Sequence, residues 1–87
     1  MKFIYTQHVL EKLVFLKSLG WYITKTQIKE VVKAPRWKGV SKHGDETAMV
    51  LVGDKHILRV VFNRKDDTIK VITVHISRRG RYESTLR

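Results

Sequence analysis

The residue types that best suit phosphate chemistry lie near the end of the chain. In the stretch IKVITVHISRRGRY, which spans Ile69–Tyr82, His75 is followed by Arg78, Arg79 and Tyr82. Metal-independent RNA cleavage needs a base for the ribose 2′-hydroxyl, an acid for the leaving oxygen and cations for the phosphate. Histidine acts as base or acid near neutral pH, arginine supplies fixed donors, and tyrosine donates a proton or stacks on a base. An ordinary polar surface is the alternative, and the spacing alone does not decide between the two.

Strand alternation predicts which side chains share this candidate site, because successive strand residues point to opposite faces of a sheet. One face should carry the apolar residues Ile72, Val74 and Ile76 with Leu58, Val60 and Phe62 of the preceding strand. The other face should carry Val71, Thr73, His75, Ser77 and Arg79, with Ile57, Arg59, Val61 and Asn63. We expect nothing in the chain to cover this second face. The candidate catalytic residues are therefore His75, Arg79 and Arg59 on this face, together with Tyr82, which follows the strand and is included for its residue type.

A fifth candidate catalytic residue is His8, in the first turn of a predicted helix. The N-terminus of a helix attracts anions and disfavours the charged form of a histidine. A surface histidine next to the helix cap is the alternative interpretation.

The charge balance favours a polyanionic partner. Eighteen Lys and Arg against eight Asp and Glu give a net charge of +10 and a pI near 10.2. Such an excess is typical of proteins that bind nucleic acid, although a generally basic protein would share it. Four of the seven arginines fall in the basic C-terminal segment 78–87. Arginine, unlike lysine, can form two parallel hydrogen bonds with a phosphate group, so Arg78 and Arg81 are candidate RNA-binding residues.

A basic stretch with an aromatic residue, RWKGVSKHGDE over Arg36–Glu46, is predicted to be an irregular loop. Trp37 would stack on a base there, while Lys38 and Lys42 would contact phosphates. The alternative is a connecting loop whose tryptophan folds back over the helices, as large aromatic side chains usually contribute buried area.

Several classes of protein are disfavoured by what the sequence lacks. Without cysteine there is no disulfide, thiol nucleophile or cysteine zinc site. The four histidines have no paired metal-ligand spacing, so we expect no metal and no cofactor. No run approaches the ~20 apolar residues of a membrane span, and MKFIYTQH is not a signal peptide. The chain of 87 residues is expected to be a single cytoplasmic domain, of unknown oligomeric state, with no membrane partner.

Local signals predict a first strand and two helices. Phe3–Tyr5 is a short strand, and Thr6 offers an N-cap to a helix from Gln7 to about Leu19. Gly20 then suits a left-handed helix end. In the second helix Thr24 and Gln27 form a capping box, Ile23 and Ile28 form a hydrophobic staple, and Pro35 ends the helix.

From Thr47 onward the pattern alternates with a period of two, which predicts strands over Thr47–Val52, His56–Asn63 and Thr68–Ser77. Short loops between consecutive strands give an antiparallel meander. The expected fold is α+β in the order β-α-α-β-β-β, with a helical hairpin packed on one face of a small, mainly antiparallel sheet.

In this order of elements the chain resembles the small uncharacterised-domain family grouped with the RelE and BrnT toxins. The resemblance covers most of the length: IYTQHVLEKL, ITKTQIKEVVKAP, HILRVVFNRKDDTIKVITVHI and a basic Arg/Tyr end. It implies a RelE-like fold, an RNA or ribosome target and an acidic antitoxin partner. It also implies that His8 corresponds to the histidine that opens the first helix in that family. Arg59 and Val60 would correspond to residues of its R-V-V strand, and Thr73 to the threonine of its I-T-V strand.

Overall fold

A computed structural model describes residues 1–78 of the chain. Within them the elements are β1 (Lys2–Tyr5), α1 (Gln7–Ser18), α2 (Lys25–Lys33), β2 (Trp37–Val40), β3 (Glu46–Val52), β4 (His56–Lys65) and β5 (Thr68–Arg78). The predicted α+β class, with two helices on a sheet, is confirmed.

Both helices begin where the sequence predicts. The Thr6 hydroxyl accepts a hydrogen bond from the Val9 amide at the start of α1, and the Thr24 hydroxyl accepts one from the Gln27 amide at the start of α2. Each bond satisfies one of the backbone donors that a helix leaves unpaired in its first turn. The first helix ends at Ser18, and Gly20 follows its C-cap with a φ of 92°, which a residue with a Cβ adopts only with strain.

The strands of residues 1–78 form one mixed sheet in the order β1-β5-β4-β3-β2. β1 is parallel to β5, and the other pairs are antiparallel, including the predicted meander β3-β4-β5. α1 packs on β5, whereas α2 packs on β3 and β4. Twelve buried apolar side chains form the core between the helices and one face of the sheet: Val9, Leu16, Ile28, Val31, Val32, Ala48, Leu58, Val60, Phe62, Ile69, Val71 and Val74.

The prediction of an irregular loop over Arg36–Glu46 is wrong in its first half. Trp37–Val40 is an edge strand that pairs with β3, with Trp37 opposite Met49 and Gly39 opposite Thr47. A Cβ at Gly39 would lie 3.0 Å from Thr47 Oγ1, so the glycine lets this strand approach closely. Four residues without clear alternation give too weak a pattern to reveal this edge strand, although a turn of only five residues joins it to β3.

A β-bulge in β5 overturns part of the predicted face assignment. Val61 pairs with Thr73 while Phe62 pairs with Val71, which leaves Ile72 as an extra residue. As a result Val71 is fully buried in the core beneath the helices, where strict alternation predicts Ile72. The predictions for Val74 and Ile76 on the core side are confirmed. Strict alternation failed here because a bulge shifts the period by one residue.

The sheet face away from the helices is more covered than expected. By alternation it carries Met49, Ile57 and Val61, all of which are buried. Arg59, Thr73, His75 and Ser77 are also only partly exposed. Charged and polar groups on this face therefore act in a half-buried environment, in which electrostatic interactions are stronger than in water.

Candidate functional site

Arg59 and His75 form the centre of the candidate site. They are direct partners across β4 and β5, on the face away from the helices. Side chains of directly paired antiparallel residues have Cβ atoms about 5 Å apart. Thr73 lies two residues before His75 on the same face. The strands thus bring a guanidinium, an imidazole and a hydroxyl together, as predicted from the alternation.

His8 joins this group from a different element. Its Nε2 atom lies 3.0 Å from Thr73 Oγ1, across 65 residues of sequence. The position of α1 explains the contact. The Thr6 hydroxyl donates to the carbonyl of the bulge residue Ile72 at 3.0 Å, and the Thr6 amide donates to the Val71 carbonyl. The bulge therefore ties the first turn of α1 to the strand that carries His75.

Two depressions meet at the Arg59–His75 pair. The first, of about 390 Å³, extends toward α1 and is lined by Lys12, Phe15, Leu16, Leu19, Arg59, His75, Ile76 and Ser77. The second, of about 410 Å³, extends toward the turn after β2 and is lined by Ser41, Lys42, His43, Asp45, Arg59, Val61, Ile72, Thr73 and His75. Both are large enough for part of a nucleotide, and both share the same guanidinium and imidazole.

The residues that the sequence predicts to bind RNA do not all lie in the candidate site. Lys42 lies in the second depression, next to the centre of the site. Trp37 lies on edge strand β2, with the Arg36 guanidinium 4.8 Å from the ring centre, and its pairing with Met49 places it on the face away from the helices. Trp37 therefore lies neither in an irregular loop nor over the helices, which are the two positions that the sequence suggested. Lys38 alternates to the opposite face, and Arg78 is exposed at the end of β5.

Three predicted site residues, Arg79, Arg81 and Tyr82, lie outside the described residues. Lys12 and Phe15 are site residues that sequence reasoning did not select. Their spacing from His8, at four and seven residues, was the available signal, since it places them on one side of α1.

Among residues 1–78, no three histidine or carboxylate side chains gather in a way that would hold a metal ion. No helix in this part of the chain is long and apolar enough to cross a membrane. The chain matches no protein-family model, and no curated protein or solved structure is significantly similar to it.

Proposed function

We propose that the protein is a toxin-like RNA-binding protein that cleaves RNA without a metal ion. The observation that carries this proposal is the convergence of three elements: Thr73, His75 and Arg59 share one half-buried sheet face, and the exposed His8 of α1 contacts Thr73. Two imidazoles and a guanidinium can move two protons and stabilise a charged phosphate.

Each residue has a role in the proposed reaction. One imidazole removes the proton of the ribose 2′-hydroxyl, so that this oxygen attacks the adjacent phosphorus. The other imidazole protonates the 5′-oxygen that leaves as the phosphodiester bond breaks. Arg59 donates to the phosphate oxygens as charge builds on them. Thr73 orients the His8 ring through the 3.0 Å contact with its Nε2 atom.

The spacing supports this division of work. Thr73 and His75 are two residues apart on one strand, which separates their Cα atoms by roughly 7 Å. His8 contacts the first of them, so in the proposed reaction one phosphodiester group contacts both imidazoles. The products would be a 2′,3′-cyclic phosphate on one fragment and a 5′-hydroxyl on the other.

Incubation of the purified protein with single-stranded RNA in EDTA, alone and with ribosomes, tests the proposal. We expect cleavage with cyclic-phosphate ends, and loss of about 10²-fold to 10⁴-fold in rate for His75→Ala. Arg79→Ala should also lose activity while the fold is retained. No cleavage under any of these conditions, together with no growth arrest on expression, would contradict the proposal.

A non-catalytic module that binds nucleic acid is the second candidate. The net charge of +10 favours it, because charge alone supports binding without chemistry. For such a module the logarithm of the affinity should fall linearly with the logarithm of the salt concentration, and the slope should be proportional to the number of phosphates contacted. Replacing Lys42, which lines the second depression, should reduce the slope by about 0.7 for a single strand, whereas replacing Lys33, on the exposed side of α2, should not.

The resemblance to the RelE and BrnT group extends the proposal to its setting. It supports a RelE-like fold, a cytoplasmic RNA or ribosome target and an acidic antitoxin encoded beside this chain. A protein-interaction module that docks such a partner is the remaining variant. Stable co-purification with the product of a neighbouring gene, without RNA binding, would favour that variant over the first two.

A further inference from the structure

One side of α1 continues the candidate site with apolar residues. His8, Lys12, Phe15 and Leu19 follow the spacing i, i+4, i+7, i+11, which aligns them along one side of the helix and its C-terminal cap. The first two are polar and lie toward the start of the helix. The last two are large and apolar, yet Phe15 is 55% exposed and Leu19 is 60% exposed.

The exposed apolar pair lies in the same depression as the cations. Phe15 and Leu19 line the cavity of about 390 Å³ that also contains Arg59, His75 and Lys12. The Lys12 ammonium lies 5.8 Å from the centre of the Phe15 ring. The Phe15 ring therefore lies beside the side chains to which we assign phosphate chemistry.

We propose that Phe15 and Leu19 form a subsite for an unpaired nucleobase next to the bound phosphate. This inference rests on the proposed function and adds the substrate class: single-stranded RNA with an unstacked base. A base stacks on the Phe15 ring, and Leu19 covers its edge. Lys12 contacts the phosphate of the same nucleotide, while Arg59 and His75 hold the adjacent phosphodiester.

A nucleobase fits these observations better than the apolar side chain of a protein partner. The depression combines an aromatic face with three nitrogen-bearing side chains within one nucleotide-sized volume, as single-strand binding sites do. Val14, the next exposed apolar residue on α1, is not part of it: it is 71% exposed and lies beside Lys17 and Tyr22 in a separate groove. Val14 therefore serves as a matched control on the same helix.

The test compares two fluorescent RNA oligonucleotides of eight nucleotides by fluorescence anisotropy, one with bases throughout and one abasic at its four central positions. It uses the full chain and the variants Phe15→Ala, Phe15→Trp and Val14→Ala. Because both positions are exposed, the variants should keep the wild-type circular dichroism spectrum and Tm. We expect Phe15→Ala to weaken binding of the intact oligonucleotide about 5-fold to 150-fold, the range of one base–aromatic stack.

Phe15→Trp should bind as tightly as wild type or more tightly, and Val14→Ala should match wild type. The abasic oligonucleotide should bind wild type and Phe15→Ala equally. If the wild type binds RNA but Phe15→Ala does not change the affinity, the subsite is wrong and the proposed function stands. If Val14→Ala weakens binding as much as Phe15→Ala, the subsite is also wrong.

Other outcomes separate the subsite from the proposed chemistry. Discrimination against the abasic strand that depends on Phe15, without cleavage, supports the subsite and contradicts the ribonuclease. A wild-type protein that binds neither oligonucleotide overturns both. Sedimentation that shows a dimer dissociated by Phe15→Ala, with RNA affinity unchanged, assigns this surface to a second copy of the chain and overturns the subsite.

Discussion

His8 Nε2 lies 3.0 Å from Thr73 Oγ1, although the two residues are 65 positions apart. The contact depends on Thr6, which caps α1 and also donates to the carbonyl of the bulge residue Ile72. A single threonine thus fixes both the start of the helix and its place against β5. The arrangement of the candidate site follows from this junction.

Replacing His8 with alanine should remove the proposed cleavage without unfolding the protein. The side chain is exposed, so the core is unaffected, and loss of one general acid or base lowers the rate by about 10²-fold to 10⁴-fold. The measurement is the single-turnover rate on RNA, with thermal unfolding as the check on folding. His56→Gln is the matched control. His56 contacts Trp21, which packs on the core beneath the helices, so this histidine lies on the side of the sheet opposite the candidate site. An equal loss of rate in both variants would remove His8 from the mechanism.

Thr6→Ala should destabilise the protein more than Thr24→Ala does. Both threonines cap a helix, and losing a cap costs about 0.5–2 kcal/mol. Thr6 also donates to the Ile72 carbonyl at 3.0 Å, a further bond of about 1 kcal/mol. Urea unfolding should therefore place Thr6→Ala about 1 kcal/mol below Thr24→Ala in stability, and Thr6→Ser should recover most of the loss. Equal stabilities would mean that the bond to the bulge contributes nothing.

The bulge predicts opposite tolerances at two neighbouring positions. Val71 is fully buried beneath the helices, so Val71→Asn should cost about 3–5 kcal/mol from lost burial and an unpaired amide. Ile72 is partly exposed on the other face, so Ile72→Asn should cost about 1–2 kcal/mol. Strict alternation would predict the reverse order. Equilibrium unfolding of the two variants decides between the bulged and the regular strand.

Tyr5 should make the protein less stable at alkaline pH. Burial raises the pKa of the Tyr5 phenol above its ordinary value of 10.0, because the charged phenolate is poorly solvated there. The folded state therefore favours the neutral form. This contribution to the free energy of unfolding is complete below pH 10.0 and is lost as the pH rises through the folded-state pKa.

The free energy of unfolding, measured by urea between about pH 8 and pH 11, should fall less steeply with pH in Tyr5→Phe than in wild type. Tyr22→Phe is the matched control, because Tyr22 is 68% exposed. A slope in Tyr5→Phe that equals the wild-type slope would contradict this assignment.

The sequence by itself determined the elements whose signals are local. The caps at Thr6 and Thr24, the stops at Gly20 and Pro35 and the long strands of the meander depend on neighbouring residues, so they could be predicted. The placement of Arg59, Thr73 and His75 on one face also followed, because two adjacent antiparallel strands keep their alternation over this region.

Only the tertiary structure decided the features that depend on distant partners. Edge strand β2 is not one of them, because it pairs with β3 across a turn of only five residues and four residues are too few to show alternation. The bulge at Ile72 forms where β5 meets both β4 and the first turn of α1. Nothing local in the sequence encodes this bulge. For the same reason the sequence showed His8 and His75 as separate candidates. Docking of α1 against β5, through Thr6, makes them parts of one site.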